Sequence, residues 1–204
     1  MSKRKTNEKK STFNTFITLG ANNHTDVNRE KDDFYATPPL AVNKLMELEK
    51  FNENIWEPCC GMNHITNILI KNGYKVFTSD IIDRVGDDTV EIIDFLDTKR
   101  IWGGDIITNP PYKLATEFVY KALESVINGA KVAMFLKLTF LETQKRKKLF
   151  QEYPPKVIYV SSSRLGCSQT SEFDETGNTV SAIAYCWFIW EKGYQGDTII
   201  KWFN

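Results

Sequence analysis

From Asp33 onward, seven short β-rich runs alternate with helix-patterned stretches, and that alternation restricts the chain to an open α/β sheet, mostly parallel, with helices on its faces. The runs cover 55–57, 75–80, 90–95, 105–108, 131–138, 156–161 and 182–192. Pro38–Pro39 opens a helix over 40–50 with Leu40, Leu45 and Leu48 on one side. A second helix, 64–71, is stopped by Asn72–Gly73, a third covers 115–127, and a basic helix lies around 145–150. Residues 1–32 break the pattern. They are polar, carry seven Lys and Arg, and read as a basic tail ahead of a single domain over 33–204.

Composition removes several classes of function. Lys+Arg and Asp+Glu both number 26, so a general basic coat for nucleic acid is excluded, although a local basic patch is not. The longest apolar run, Ala182 to Trp190, is far short of the ~20 residues that span a bilayer. MSKRKTNEKK has no apolar segment behind it and is not a secretory signal. Cys59, Cys60, Cys167 and Cys186 contain no CxxC pair, which argues against a disulfide scaffold or a zinc site and for a reducing cytoplasm. His24 and His64 are the only histidines, so no metal is expected.

Ligands of such sheets bind beyond the carboxyl ends of the strands, where strand order reverses. The first end reads Glu57-Pro58-Cys59-Cys60-Gly61-Met62-Asn63-His64. Glycine lets the backbone approach a nucleoside, and Asn63 stands where a second glycine is expected; asparagine tolerates positive φ better than most residues. About twenty residues on, Asp80 can accept both hydroxyls of a ribose. Asp94–Phe95 can take an adenine amine and stack on its ring. Each alone also reads as an ordinary turn, a loop acid or a core aromatic; in this order and spacing they favour an adenosine-type cofactor.

Asn109-Pro110-Pro111-Tyr112 follows a predicted strand directly. Two prolines make the segment stiff and extended. The Asn109 carboxamide oxygen and the Pro110 carbonyl can then each accept one hydrogen of a planar amine, drawing its lone pair toward an electrophile. Tyr112 offers a face for stacking a base. No general base is evident.

This series resembles the class I S-adenosylmethionine-dependent methyltransferases that methylate amines, and the N6-adenine DNA group above all. FYATP (34–38), WEPCCGMNHI (56–65), SDIIDR (79–84), DFLD (94–97), DIITNPPYKLATEFVYKAL (105–123), VAMFLKLTFLETQKRKKLF (132–150) and SAIAYCWFIWEKGY (181–194) are similar to small enzymes common in phages and prophages. The resemblance implies a Rossmann-like, seven-stranded sheet whose final strand, 182–192, is antiparallel, in a protein of the bacterial cytoplasm. It implies S-adenosylmethionine as cofactor, touched by Tyr35, Thr37 and Pro38, turned by Glu57, Gly61 and Asn63, and held by Asp80, Asp94 and Phe95. It makes Asn109, Pro110, Pro111 and Tyr112 the catalytic wall.

DNA is the expected partner, with RNA or a protein amide as alternatives and a catalytically silent binder as a third. The chain ends soon after the last predicted strand, so no full recognition domain is expected. Polymer contact then falls to the loop 162–181 with Arg164, to Lys145-Arg146-Lys147-Lys148, and to Lys3, Arg4, Lys5, Lys9 and Lys10. A solvated face is the competing reading of any such charge run. Cys59 and Cys60 read as packing residues, and Tyr185, Trp187, Phe188 and Trp190 as sheet packing on both faces.

Overall fold

Side chains alternate across a strand, so a run apolar throughout must be covered on both sides. Val132, Met134, Leu136, Phe188 and Trp190 fill one hydrophobic layer, while Ala133, Phe135, Trp187 and Ile189 fill the other. The computed structural model describes residues 34–86, 88–168, 171–179 and 181–204; the expected tail, with the candidates Lys3, Arg4, Lys5, Lys9 and Lys10, lies outside these.

The elements are α1 (Pro39–Leu48), β1 (Asn54–Glu57), α2 (His64–Lys71), β2 (Lys75–Asp80), β3 (Glu91–Ile92), β4 (Asp105–Thr108), α3 (Ala115–Ser125), β5 (Lys131–Lys137), α4 (Lys147–Glu152), β6 (Val157–Ser161), β7 (Tyr185–Glu191) and β8 (Ile199–Phe203). One sheet runs in the order β3-β2-β1-β4-β5-β7-β6-β8. Every pairing is parallel except those of β7, which runs antiparallel to both β5 and β6. Trp56 and Ile106 pack with α3 on one face; Ile55 and Ile107 pack with α1 and α2 on the other.

Three expectations are corrected. The sheet has eight strands, not seven: β8 pairs parallel with β6, and the antiparallel strand β7 is not the last. Its residues 199–202 are exposed and only Phe203 is buried, so an edge strand left little apolar pattern to recognise. The run 90–95 shrinks to two residues, because Asp94 Oδ1 accepts the Leu96 N–H at 2.9 Å and turns the chain. The basic helix begins as a 3₁₀ turn, Gln144–Arg146, before α4. Among the described residues no helix is long and apolar enough to cross a membrane.

Candidate active site

A pocket opens at the carboxyl ends of β1, β2 and β4, where the strand order reverses. The turn after β1 shapes it. Gly61 has φ +54, and a Cβ there would lie 2.4 Å from the Phe34 ring, so the position requires glycine. Its N–H donates to Asp80 Oδ2 at 2.9 Å. Asn63 has φ 61 and ψ 27, the left-handed conformation a second glycine would supply, and its Oδ1 is buried without a hydrogen-bond partner. His64 starts α2 and meets Phe173 edge-on at 5.7 Å. Burial lowers its pKa, so the imidazole is neutral at pH 7.

The ionisable lining is mostly acidic, with Glu57, Asp80 and Asp94 against Arg84. Glu57 is 1% exposed and accepts the Thr66 hydroxyl. Burial, helped by the nearby Asp80 charge, raises its pKa to about 8. Asp80 Oδ1 accepts from Arg84 at 3.1 Å and from the Ile82 N–H at 3.3 Å. The Arg84 guanidinium also lies 5.2 Å over the Phe34 ring. Phe95 is buried and edge-on to Trp56 at 5.1 Å, while Asp94 is exposed. Burial raises the Cys59 and Cys60 pKa values, and both remain thiols.

β4 ends at Thr108, and the next residue carries the most specific geometry. Asn109 Nδ2 donates to the Tyr35 carbonyl at 2.8 Å and lies 3.8 Å from Cys167 Sγ. A carbonyl can only accept, so the amide must present its nitrogen to Tyr35 and its oxygen away. That Oδ1 is buried and has no partner. The Tyr112 hydroxyl donates to Cys167 Sγ at 3.1 Å. Its ring lies 5.4 Å from Tyr35 and 5.9 Å from Tyr185, with Lys137 Nζ 4.6 Å over it. Burial lifts the Tyr112 pKa and pushes the Cys167 thiol up to about 12, so neither is a base at neutral pH.

The structure therefore brings together, around one pocket, Tyr35, Thr37, Glu57, Asp80, Asp94, Phe95, Asn109 and Pro111. Gly61 and Asn63 form the turn beside it, Pro38 is buried ahead of α1, and Pro110 links Asn109 to Pro111. Tyr112 faces a second pocket that shares Tyr35 with the first. Among the described residues no His, Cys, Asp and Glu group could hold a metal.

The basic candidates separate. Lys145, Lys147 and Lys148 are exposed, and Lys148 reaches Glu152 at 3.6 Å. Arg146 instead donates to the carbonyls of Phe140, Glu142 and Thr139 at 2.6, 2.7 and 3.1 Å and serves the local fold. Arg164 donates to the Ala182 carbonyl. Its loop folds back over the protein: the Gly177 carbonyl accepts from Leu40 at 3.2 Å, and Ser168 pairs with Ala36 through backbone bonds of 2.8 and 3.1 Å.

Phe34, Arg84 and Cys167 were not among the predicted site residues. Arg84 stands four residues after Asp80, a spacing that could have flagged it; Cys167 is 58 residues from Asn109 with no local signal.

No protein-family model matches the chain, and no curated protein matches it. Solved structures do. A Listeria monocytogenes protein assigned to the class I S-adenosylmethionine-dependent methyltransferases superposes with TM-score 0.60 at 14% identity, over 95% of this chain and 71% of its own. A Pyrococcus horikoshii protein assigned as an RNA methyltransferase gives 0.58 at 14%, over 94% and 99%. A Vibrio vulnificus protein assigned as the modification subunit of a type I restriction enzyme gives 0.59 at 13%, over 98% of this chain; the chain spans about half its length (53%). The fold is the Rossmann-like fold of these methyltransferases.

Proposed function

We propose that residues 33–204 form a single S-adenosylmethionine-dependent amino-methyltransferase domain, acting on adenine N6 of DNA. The observation that carries this reading is the Asn109 carboxamide oxygen, buried without a partner and aimed by the Tyr35 carbonyl. A buried orphan acceptor is costly unless a ligand donor completes it. An amine hydrogen is such a donor.

The chain's own residues fit the cofactor. Asp80 supplies a carboxylate for the ribose, Phe95 an aromatic for the adenine, with Asp94 beside it, and Glu57 a buried acid for the cationic end. When bound, the cofactor supplies a methyl made electrophilic by its sulfonium, taken by the amine nitrogen with release of the thioether and a proton. Asn109 Oδ1 and the Pro110 carbonyl accept the amine's two hydrogens and concentrate electron density on nitrogen. Their dipoles also stabilise the positive charge that develops there. No protein base is required, since the product ammonium sheds its proton readily to solvent. Catalysis rests on positioning.

The target base must leave its stack, at a cost of a few kcal/mol that is least for single-stranded or distorted sites. It enters beside Tyr112 and takes the place of the Lys137 ammonium on that ring. DNA as substrate draws support from the likeness to the restriction-system modification subunit.

The test pairs radiolabelled methyl transfer to single-stranded DNA with calorimetric cofactor titration. Asn109→Ala abolishes transfer and leaves cofactor affinity nearly intact. Full activity in that variant would overturn the reading. Mass spectrometry of nucleosides from DNA and RNA of expressing cells separates adenine N6 of DNA from an RNA target.

A further inference from the structure

Cys167, in the loop between β6 and β7, touches two residues of the candidate site and has no task in the reaction proposed above. Its Sγ accepts the Tyr112 hydroxyl at 3.1 Å and lies 3.8 Å from Asn109 Nδ2, a long and weak bond. An amide nitrogen carries two hydrogens. The Tyr35 carbonyl takes one at 2.8 Å, and Cys167 Sγ is the acceptor for the other. With both hydrogens placed, Oδ1 is the one polar atom of the Asn109 side chain left without a partner. We infer that Cys167 is a positioning residue: its sulfur completes a two-sided clamp on the Asn109 carboxamide and ties Tyr112 to the same point, so that amide oxygen and ring keep one fixed relation for an incoming amine.

The fold supplies both acceptors together. Tyr35 and Cys167 each precede one member of the antiparallel bridge Ala36↔Ser168, whose backbone bonds are 2.8 and 3.1 Å. A single pair of bonds thus holds the two segments that flank the amide. The approach to Cys167 is braced as well. The Gly166 N–H donates to Asn178 Oδ1 at 3.0 Å, and Asn178 Nδ2 donates to the Arg164 carbonyl at 2.7 Å. A Cβ on Gly166 would lie 2.5 Å from the Thr179 carbonyl oxygen, so the two arms of the loop run in contact there. Sulfur suits the position. As a weak acceptor it orients the amide without drawing it from the Tyr35 carbonyl. Burial keeps the thiol protonated, so no negative charge competes with Oδ1 for the hydrogens of an amine.

This inference rests on the amino-methyltransferase reading, and its test reads the clamp and the chemistry separately in the full chain. In NMR spectra of isotopically labelled protein, the Asn109 side-chain amide pair is assigned by its absence from Asn109→Ala. Hydrogens held in bonds resist exchange with water, and both members of the pair are protected in wild type. Cys167→Val keeps the apolar volume but offers no acceptor, and protection of the pair is lost. In the same variant kcat for methyl transfer to single-stranded DNA falls about tenfold or more, while cofactor affinity holds. Cys167→Ser keeps an acceptor and restores most of both. A side chain that only fills space gives the reverse ranking, with valine milder than serine, and that ranking overturns the inference. Unchanged protection in Cys167→Val overturns it whatever the activity. Lost protection with unchanged kcat overturns the positioning role and leaves amine methylation standing. Protection lost in valine and restored in serine, in a wild type that transfers no methyl group to DNA, RNA or peptide, sustains the clamp and removes the enzyme reading.

Discussion

Glu57→Gln isolates the buried acid of the pocket at the strand ends. The carboxyl is buried at the end of β1, and its pKa rises from 4.5 to about 8. An unfolded chain releases this proton near pH 4.5, whereas the folded chain keeps it until about pH 8. Between those values the folded state binds more protons, so stability falls as pH rises through the window and levels off above it. At ~1.4 kcal/mol per pH unit, the loss between pH 5 and pH 8 is roughly 3–4 kcal/mol. Glutamine is neutral throughout and still offers an oxygen to the Thr66 hydroxyl. Urea unfolding of both proteins from pH 5 to pH 8.5 should therefore give curves that diverge with pH, the variant becoming the more stable. Parallel curves would refute the buried, protonated Glu57. A second measurement follows from the proposed cofactor: its positive charge favours ionised Glu57, so binding near pH 7 releases a proton. Calorimetry in buffers of different ionisation enthalpy detects that release in wild type and its loss in the variant.

Asp80→Ala removes the acceptor of the Gly61 N–H and the partner of Arg84, and cofactor affinity should fall by at least ~2 kcal/mol in a calorimetric titration. Equal affinity would dismiss Asp80 as the ribose acceptor. Gly61→Ala places a methyl on the Phe34 ring at positive φ, so melting temperature and cofactor affinity should drop together, by ~1–3 kcal/mol in stability. A variant with wild-type stability would show that Phe34 can give way.

The parts of the fold legible in the sequence are those whose signal is local and two-sided. α2 and β2 have the ends read from the sequence, because Asn72–Gly73 stops the helix and Asp80 ends a β-rich run. β4 was legible because Pro110 and Pro111 cut it off sharply. β8 was not: four exposed residues gave no alternation, and its pairing with β6 lies 42 residues away in sequence for Val157 and Ile199. Asp94 was legible as an acid, but its capture of the Leu96 N–H, which shortens β3, depends on a turn the composition does not announce. Glu57 and Asp80 end β1 and β2 and Asp94 follows β3 by two residues, and order and spacing were enough to group the three on one pocket. Cys167 and Phe34 enter the site only through tertiary contact, and no periodicity marks them.

The orientation of Asn109 is the clearest case of a property that chain order cannot carry. Its amide nitrogen is held by the carbonyl of Tyr35, 74 residues earlier, and the neighbouring Ala36 is in turn tied by two backbone bonds to Ser168 in the loop between β6 and β7. The unpartnered oxygen, which the proposed function turns toward the substrate amine, is therefore aimed by two segments that meet where that loop folds back. The same geometry explains why the position holds an amide and not an acid. One end donates to a backbone carbonyl while the other, in the proposed reaction, accepts from an amine, and a carboxylate has no donor to offer. An ionised acid would set its charge against the Tyr35 carbonyl and lose the bond that orients it. On the proposed reaction the Asn109 side chain thus answers two demands at once, one from the fold and one from the chemistry, and asparagine meets both with a single planar group.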